Sequence, residues 1–113
     1  MNRTVRVAAA QCEIRDDVAA NRATLVDMVR RAAEQGAQLV VLPEFGNHYS
    51  IYESEEHAWE VATDTTDPDD PFVRALSAAA GDHGIWVVAN STVRRDGEGD
   101  RPGERSSGKS TEE

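Results

Sequence analysis

The amino-acid sequence predicts an α/β fold with the element order β-α-β-α-β. Short apolar, β-branched runs recur along the first 93 residues, amphipathic stretches of helical period separate them, and Gly or Pro marks the junctions. The first run, Thr4 to Cys12 (TVRVAAAQC), is β-rich at its start and apolar over most of its length, as expected of a strand buried on both faces. From Asp17 the period changes: Val18, Leu25, Val26, Val29, Ala32 and Ala33 recur at helical spacing, with Asn21, Arg22, Asp27, Arg30, Arg31 and Glu34 at the other positions. Asp16 or Asp17 can cap this helix, and Gly36 stands where a left-handed residue ends one.

Gln38 to Leu42 (QLVVL) reads as a second buried strand, closed by Pro43, which has no N–H for a ladder. A strand, a helix and a strand in succession make a right-handed crossover with the two strands parallel. Glu44 therefore emerges just past the carboxyl end of a parallel strand, where open α/β sheets place their ligand sites. Phe45 to His57 mixes Gly, Asn and Ser with aromatics and reads as a loop over the site, followed by a short helix near Glu55 to Ala62. Thr63 to Asp70 is turn chemistry; Asp70 then caps a second long helix with Pro71 at its first position and Phe72, Val73, Leu76 and Ala79 or Ala80 on its apolar face. Gly84 ends that helix, and Ile85 to Val93 (IWVVANSTV) is the third strand. From Arg94 to Glu113 there is no aliphatic or aromatic side chain, and Gly, Ser and mixed charge cannot offset the entropy of ordering, so a disordered tail is expected.

Composition removes several function classes. Acidic residues outnumber basic ones 21 to 12, for a formal charge of −9, and no segment gathers enough Arg or Lys to track a phosphate backbone, so nucleic acid is not an expected partner. No stretch approaches the roughly 20 apolar residues of a membrane span, and the start is unlike a targeting signal, so a cytoplasmic protein without a membrane partner is expected. No glycine lies in Gln11 to Asp17, where a dinucleotide site would need one, and no cofactor is called for. His48, Glu53 and His57 match no metal-ligand spacing, and Ser50, Ser54 and Ser91 lack a nucleophile elbow. Cys12, the single cysteine, ends the first strand with nothing electropositive beside it; it reads as a small half-buried strand residue rather than a nucleophile.

Glu44 is the candidate catalytic residue. Pro43 fixes the backbone before it, and partial burial in a pocket at the strand end is expected, a setting that suits a general base. Phe45, Tyr49 and Tyr52 are candidate substrate-binding side chains, with ordinary loop packing the equal alternative; Trp59 and Trp86 read as core or interface.

QLVVLPEF, together with the opening VRVAAAQCEI, the helix NRATLVDMVRRAAEQGAQ and the strand HGIWVVANSTV, resembles the carbon-nitrogen hydrolases of the nitrilase superfamily. The resemblance runs from Val5 to about Arg95 and marks 1–95 as a partial domain of that kind, with 96–113 as the polar tail. It implies a four-layer αββα sandwich, of which this chain would be one half, usually paired into dimers. It also implies hydrolysis of a non-peptide carbon-nitrogen bond in a small amide, carbamoyl compound or nitrile by a cysteine, a glutamate and a lysine. Glu44 matches the glutamate. The settings of the other two residues do not occur: the only lysine, Lys109, lies in the polar tail, and Cys12 is at the wrong strand end. The chain is accordingly expected to be truncated, frameshifted near Gly97 to Arg101, or completed by a separate chain, and inactive alone. One sheet face would lack its cover, so homo-oligomerisation or a partly ordered, association-prone product is expected. The alternative is a non-catalytic subunit or interaction module built on the same half-sandwich.

Overall fold

The computed structural model describes residues 3–94; the tail from residue 96, with Lys109, lies outside the described residues. Within them the order is β1 (Val7–Ala9), α1 (Val18–Glu34), β2 (Leu39–Val41), α2 (Glu55–Val61), α3 (Pro71–His83) and β3 (Trp86–Val88). The strands form one parallel sheet in the order β1-β2-β3, with Val7 beside Leu39 beside Trp86 and Ala9 beside Val41 beside Val88. The α/β class and the element order expected from the sequence are both present.

Local chemistry sets the element ends. Asp17 caps α1 by accepting from the Ala20 N–H at 3.0 Å, and Gly36 turns the chain toward β2 at φ +88°. The positive φ is what favours glycine at position 36, since the nearest atom to an added Cβ, Arg6 Nη1 at 2.9 Å, is the end of a flexible side chain that can move aside. Asp70 caps α3 through the N–H groups of Phe72 and Val73, with Pro71 at the first helical position and Gly84 in the left-handed region at the far end.

All three strands are shorter than the apolar runs that contain them. β2 stops because Pro43 has no N–H to donate. β3 ends at Val88 because the following carbonyls and amides pair with loops instead: the Asn90 carbonyl accepts from Gly46 N–H at 2.8 Å, and only an isolated bridge, Thr63 to Val93, continues in strand fashion.

Both long helices lie over the same sheet face, as expected when two crossovers of one hand carry the chain in one direction across a sheet. Leu25, Val29 and Ala32 of α1 meet Phe72, Leu76 and Ala79 of α3 above Val40, Leu42 and Ile85 in one apolar core. Ala8 and Val87 pack against its margin. The opposite face is open: Val7, Val41, Trp86 and Val88 are exposed, Trp86 at 77 %. The reading of the strands as buried on both faces is thus corrected, because among the described residues only α1 and α3 cover the sheet. Trp86 is likewise not a core residue.

Leu25, with no exposed surface, should lose about 3 kcal/mol of stability on truncation to Ala. Val88→Ala, on the open face, should stay within about 0.5 kcal/mol. Urea denaturation of the two variants checks the difference; equal losses would mean that the two faces are equally covered.

Candidate active site

Glu44 follows Pro43 directly at the carboxyl end of β2, and the residues around it are fixed mainly by asparagines. The Phe45 N–H donates to Asn90 Oδ1 at 2.9 Å, and the Gly46 N–H donates to the Asn90 carbonyl at 2.8 Å. Phe45 is thereby held in the left-handed region at φ 52°, a conformation that side-chain-bearing residues seldom adopt without such support. Gly46 sits where a Cβ would come within 3.0 Å of both the Asn90 carbonyl oxygen and Leu25 Cδ1, so the loop lies directly on the core.

Asn47 and Asn21 complete the clamp, each almost wholly buried. Asn47 donates from Nδ2 to the Val61 carbonyl at 2.7 Å and accepts the Thr92 N–H on Oδ1 at 3.1 Å, tying the loop to α2 and to the chain beyond β3. Asn21 accepts the Arg15 N–H at 2.9 Å and donates to the carbonyls of Arg15 (2.8 Å) and Asn47 (3.1 Å). Buried amides with their hydrogen bonds met are rigid, because breaking one leaves an unsatisfied polar group in a dry interior. Asn21 is therefore not one of the solvent-side positions of α1 that its polarity suggested. Its spacing of four from Leu25 and eight from Val29 places it on the buried stripe, a signal present in the sequence. Asn47 and Asn90 carry no comparable periodic signal.

The Glu44 side chain itself is exposed and makes no hydrogen bond or ion pair among the described residues. The expected partial burial is absent, since no other layer stands over this end of the sheet among those residues. Glu44 lines an open groove of about 450 Å³ across the carboxyl ends of β1 and β2, whose walls include Gln11, Cys12, Val41 and Pro43. Cys12 thus shares a groove with Glu44, a proximity the sequence reading did not foresee. Its thiol is nevertheless half-buried against the core, and burial pushes its pKa up, which disfavours the nucleophilic thiolate.

The aromatic candidates divide. Phe45 is partly exposed beside Glu44. None of the three lines the groove; Tyr49 and Tyr52 enclose the buried His48 ring, Tyr52 stacked on it at 5.4 Å and Tyr49 edge-on at 5.0 Å. The Tyr52 hydroxyl also bonds Thr92 Oγ1 at 2.9 Å, so this residue anchors its loop to the segment beyond β3. His48 Nδ1 lies 2.7 Å from the Tyr49 carbonyl, whose acceptor role places the imidazole proton on Nδ1. His57 Nδ1 accepts the Glu53 N–H at 3.2 Å. Among the described residues no group of three or more His, Cys, Asp or Glu side chains is arranged to hold a metal ion.

Glu44 thus stands exposed at the carboxyl end of the central strand of a parallel sheet, the end at which open α/β sheets bind ligands. The family model for carbon-nitrogen hydrolases matches residues 6–107, and the chain belongs to that family. It is also similar to a protein named nitrilase from Pyrococcus abyssi (strain GE5 / Orsay), at 35% identity over 71 residues, covering 63% of this chain. The matched stretch spans 26% of that relative, about a quarter of its length. No helix among the described residues is long and apolar enough to cross a membrane.

Two outcomes test this geometry. Asn90→Ala should speed hydrogen exchange at the Phe45 amide by about tenfold, the scale of one lost hydrogen bond, while Asn90→Asp, which keeps the acceptor, should not. Amide-resolved NMR of both variants reads this. Cys12 alkylation by iodoacetamide in the folded chain should be slow at neutral pH and keep rising above the pH at which a free thiol in the urea-unfolded chain levels off, because burial favours the neutral thiol.

Proposed function

We propose that Glu44 is the general base of a hydrolase acting on non-peptide carbon-nitrogen bonds of small amides, carbamoyl compounds or nitriles. The observation that carries this reading is the unpaired Glu44 carboxylate, carried on a rigidly hydrogen-bonded backbone at the mouth of the groove. A base that exchanges no proton with the protein around it is free to take one from a nucleophile and return it to a departing amine. Phe45, Tyr49 and Tyr52 are the aromatic candidates for substrate contact; Phe45 is exposed next to Glu44, and Tyr52 also bonds Thr92 through its hydroxyl.

The rest of the reaction needs groups that residues 3–94 do not supply. They contain no lysine to stabilise developing negative charge, and their one cysteine has a thiol whose burial works against ionisation. The segment therefore contributes the base, and the nucleophile and cation come from residues outside 3–94 or from another chain. On this reading the 113-residue chain releases no ammonia by itself. Cytoplasmic location and dimerisation belong to the same reading, by extension from the family.

One observation favours a second reading, an interaction module that docks a partner without catalysis: the apolar open face around Trp86, which is large for an exposed side chain. Sedimentation of the purified chain against Trp86→Lys addresses it, since a docking face predicts association that the charge abolishes.

The catalytic reading is tested by a chimera in which this segment replaces the matching stretch of the Pyrococcus abyssi nitrilase. The chimera should hydrolyse its substrate, and Glu44→Gln within it should lower kcat by at least about a hundredfold, as loss of a positioned base does. An unchanged rate in a folded Glu44→Gln chimera would remove Glu44 from the mechanism. Ammonia release by the unmodified 113-residue chain, abolished by Cys12→Ser, would instead identify Cys12 as the nucleophile.

A further inference from the structure

A second concavity lies away from the Glu44 groove and shares no lining residue with it. It has a volume of about 220 Å³ and is bounded by the start of α1, the end of α2, the start of α3 and Arg94. Two arginines, Arg22 and Arg94, line it. Arg22 makes no hydrogen bond or ion pair among the described residues. Arg94 donates from Nη1 to the Trp59 carbonyl at 3.1 Å and lies 5.8 Å from the Trp59 ring centroid, yet its Nε is buried without a partner. A buried N–H left unmet is costly, and it adds a donor to a concavity that Arg94 already lines.

The opposing charges do not cancel this pair in the same way. Asp70 is buried, and its carboxylate already accepts from the amides of Asp64, Phe72 and Val73, so both oxygens are committed to the turn and to the α3 cap. That also means the N-terminus of α3 is already satisfied and contributes no open anion site. Glu60 lines the concavity as an exposed residue with no ion pair to Arg22 or Arg94 among the described residues. The rest of the wall mixes apolar Val18, Val61, Ala62, Pro71 and Phe72 with Asn47 and Thr63, whose side-chain polar atoms are already hydrogen-bonded to Val61, Thr92 and Ser91.

We propose that this concavity binds a small organic carboxylate, with the acid group on Arg22 and Arg94 and the carbon body against Phe72 and Val61. Guanidinium groups suit a carboxylate because their N–H donors match its two oxygens, and the apolar wall favours an organic acid over a fully hydrated inorganic anion. Glu60 weakens binding of any anion by repulsion, which gives the site a charge signature of two opposite signs.

The test is an NMR titration of the full chain with benzoate, following the Arg Nε–H signals, beside benzamide and inorganic phosphate. Benzoate should shift the Arg94 Nε–H saturably in the millimolar range, while benzamide should not. Arg22→Gln should weaken benzoate by about tenfold and Glu60→Gln should tighten it, whereas Arg30→Gln, on the exposed side of α1, should change nothing. The Glu60 and Arg30 variants keep the test decisive if substitution at Arg22 perturbs folding. The proposal is overturned by the absence of a saturable shift, by equal binding of benzamide or phosphate, or by a benzoate affinity indifferent to Glu60→Gln. None of these readouts depends on Glu44, so the outcome is independent of the hydrolase reading.

Discussion

Val40, the middle residue of the middle strand, has no exposed surface, and the arrangement of the molecule follows from how that came about. A parallel strand cannot be joined to its neighbour by a tight turn, so each connection must cross the sheet, and both long connections here cross on the same face. α1 and α3 then have apolar stripes with one surface in common, and Leu25, Val29, Phe72 and Leu76 close over Val40. One-sided covering concentrates the stability in that layer. It also leaves Val7, Val41, Trp86 and Val88 facing outward, although their residue types are those of an interior.

The carboxyl end of the sheet depends on a different kind of bond. Three asparagines, distant from one another in sequence, converge where the loop after β2 meets α1, α2 and the segment beyond β3. Their amides satisfy backbone groups that the short strands leave unpaired, and Asn90 supports the left-handed Phe45 next to Glu44. These bonds hold the backbone beside Glu44, while its exposed side chain makes no hydrogen bond or ion pair among the described residues. Rigidity of the backbone and freedom of the carboxylate coexist, because the hydrogen bonds end one residue short of the acid.

Cys12 shows how proximity and reactivity separate. It shares the groove of Glu44 in space, yet its thiol leans on the core, and the same burial that gives it a packing role suppresses the charged form needed for attack. Tyr49 and Tyr52 make a similar point. Their closeness to Glu44 in sequence left a substrate wall and ordinary loop packing equally open; in the structure their rings pack around His48 and the Tyr52 hydroxyl bonds Thr92.

The sequence by itself determined the α/β class, a cap at Asp16 or Asp17 and another at Asp70, the glycines at 36 and 84 that end the long helices, and the emergence of Glu44 at a strand end. Each of these rests on local chemistry: a side-chain acceptor before a helix, a glycine where φ is positive, a proline that stops a ladder. Tertiary structure alone decided which strand face is covered, how short the strands are, and which asparagines hold the loop. An apolar run reads the same whether one or two of its faces will be covered. The difference lies in the partners that helices and loops bring from elsewhere in the chain, as Asn47 and Asn90 are brought together across 43 positions of sequence.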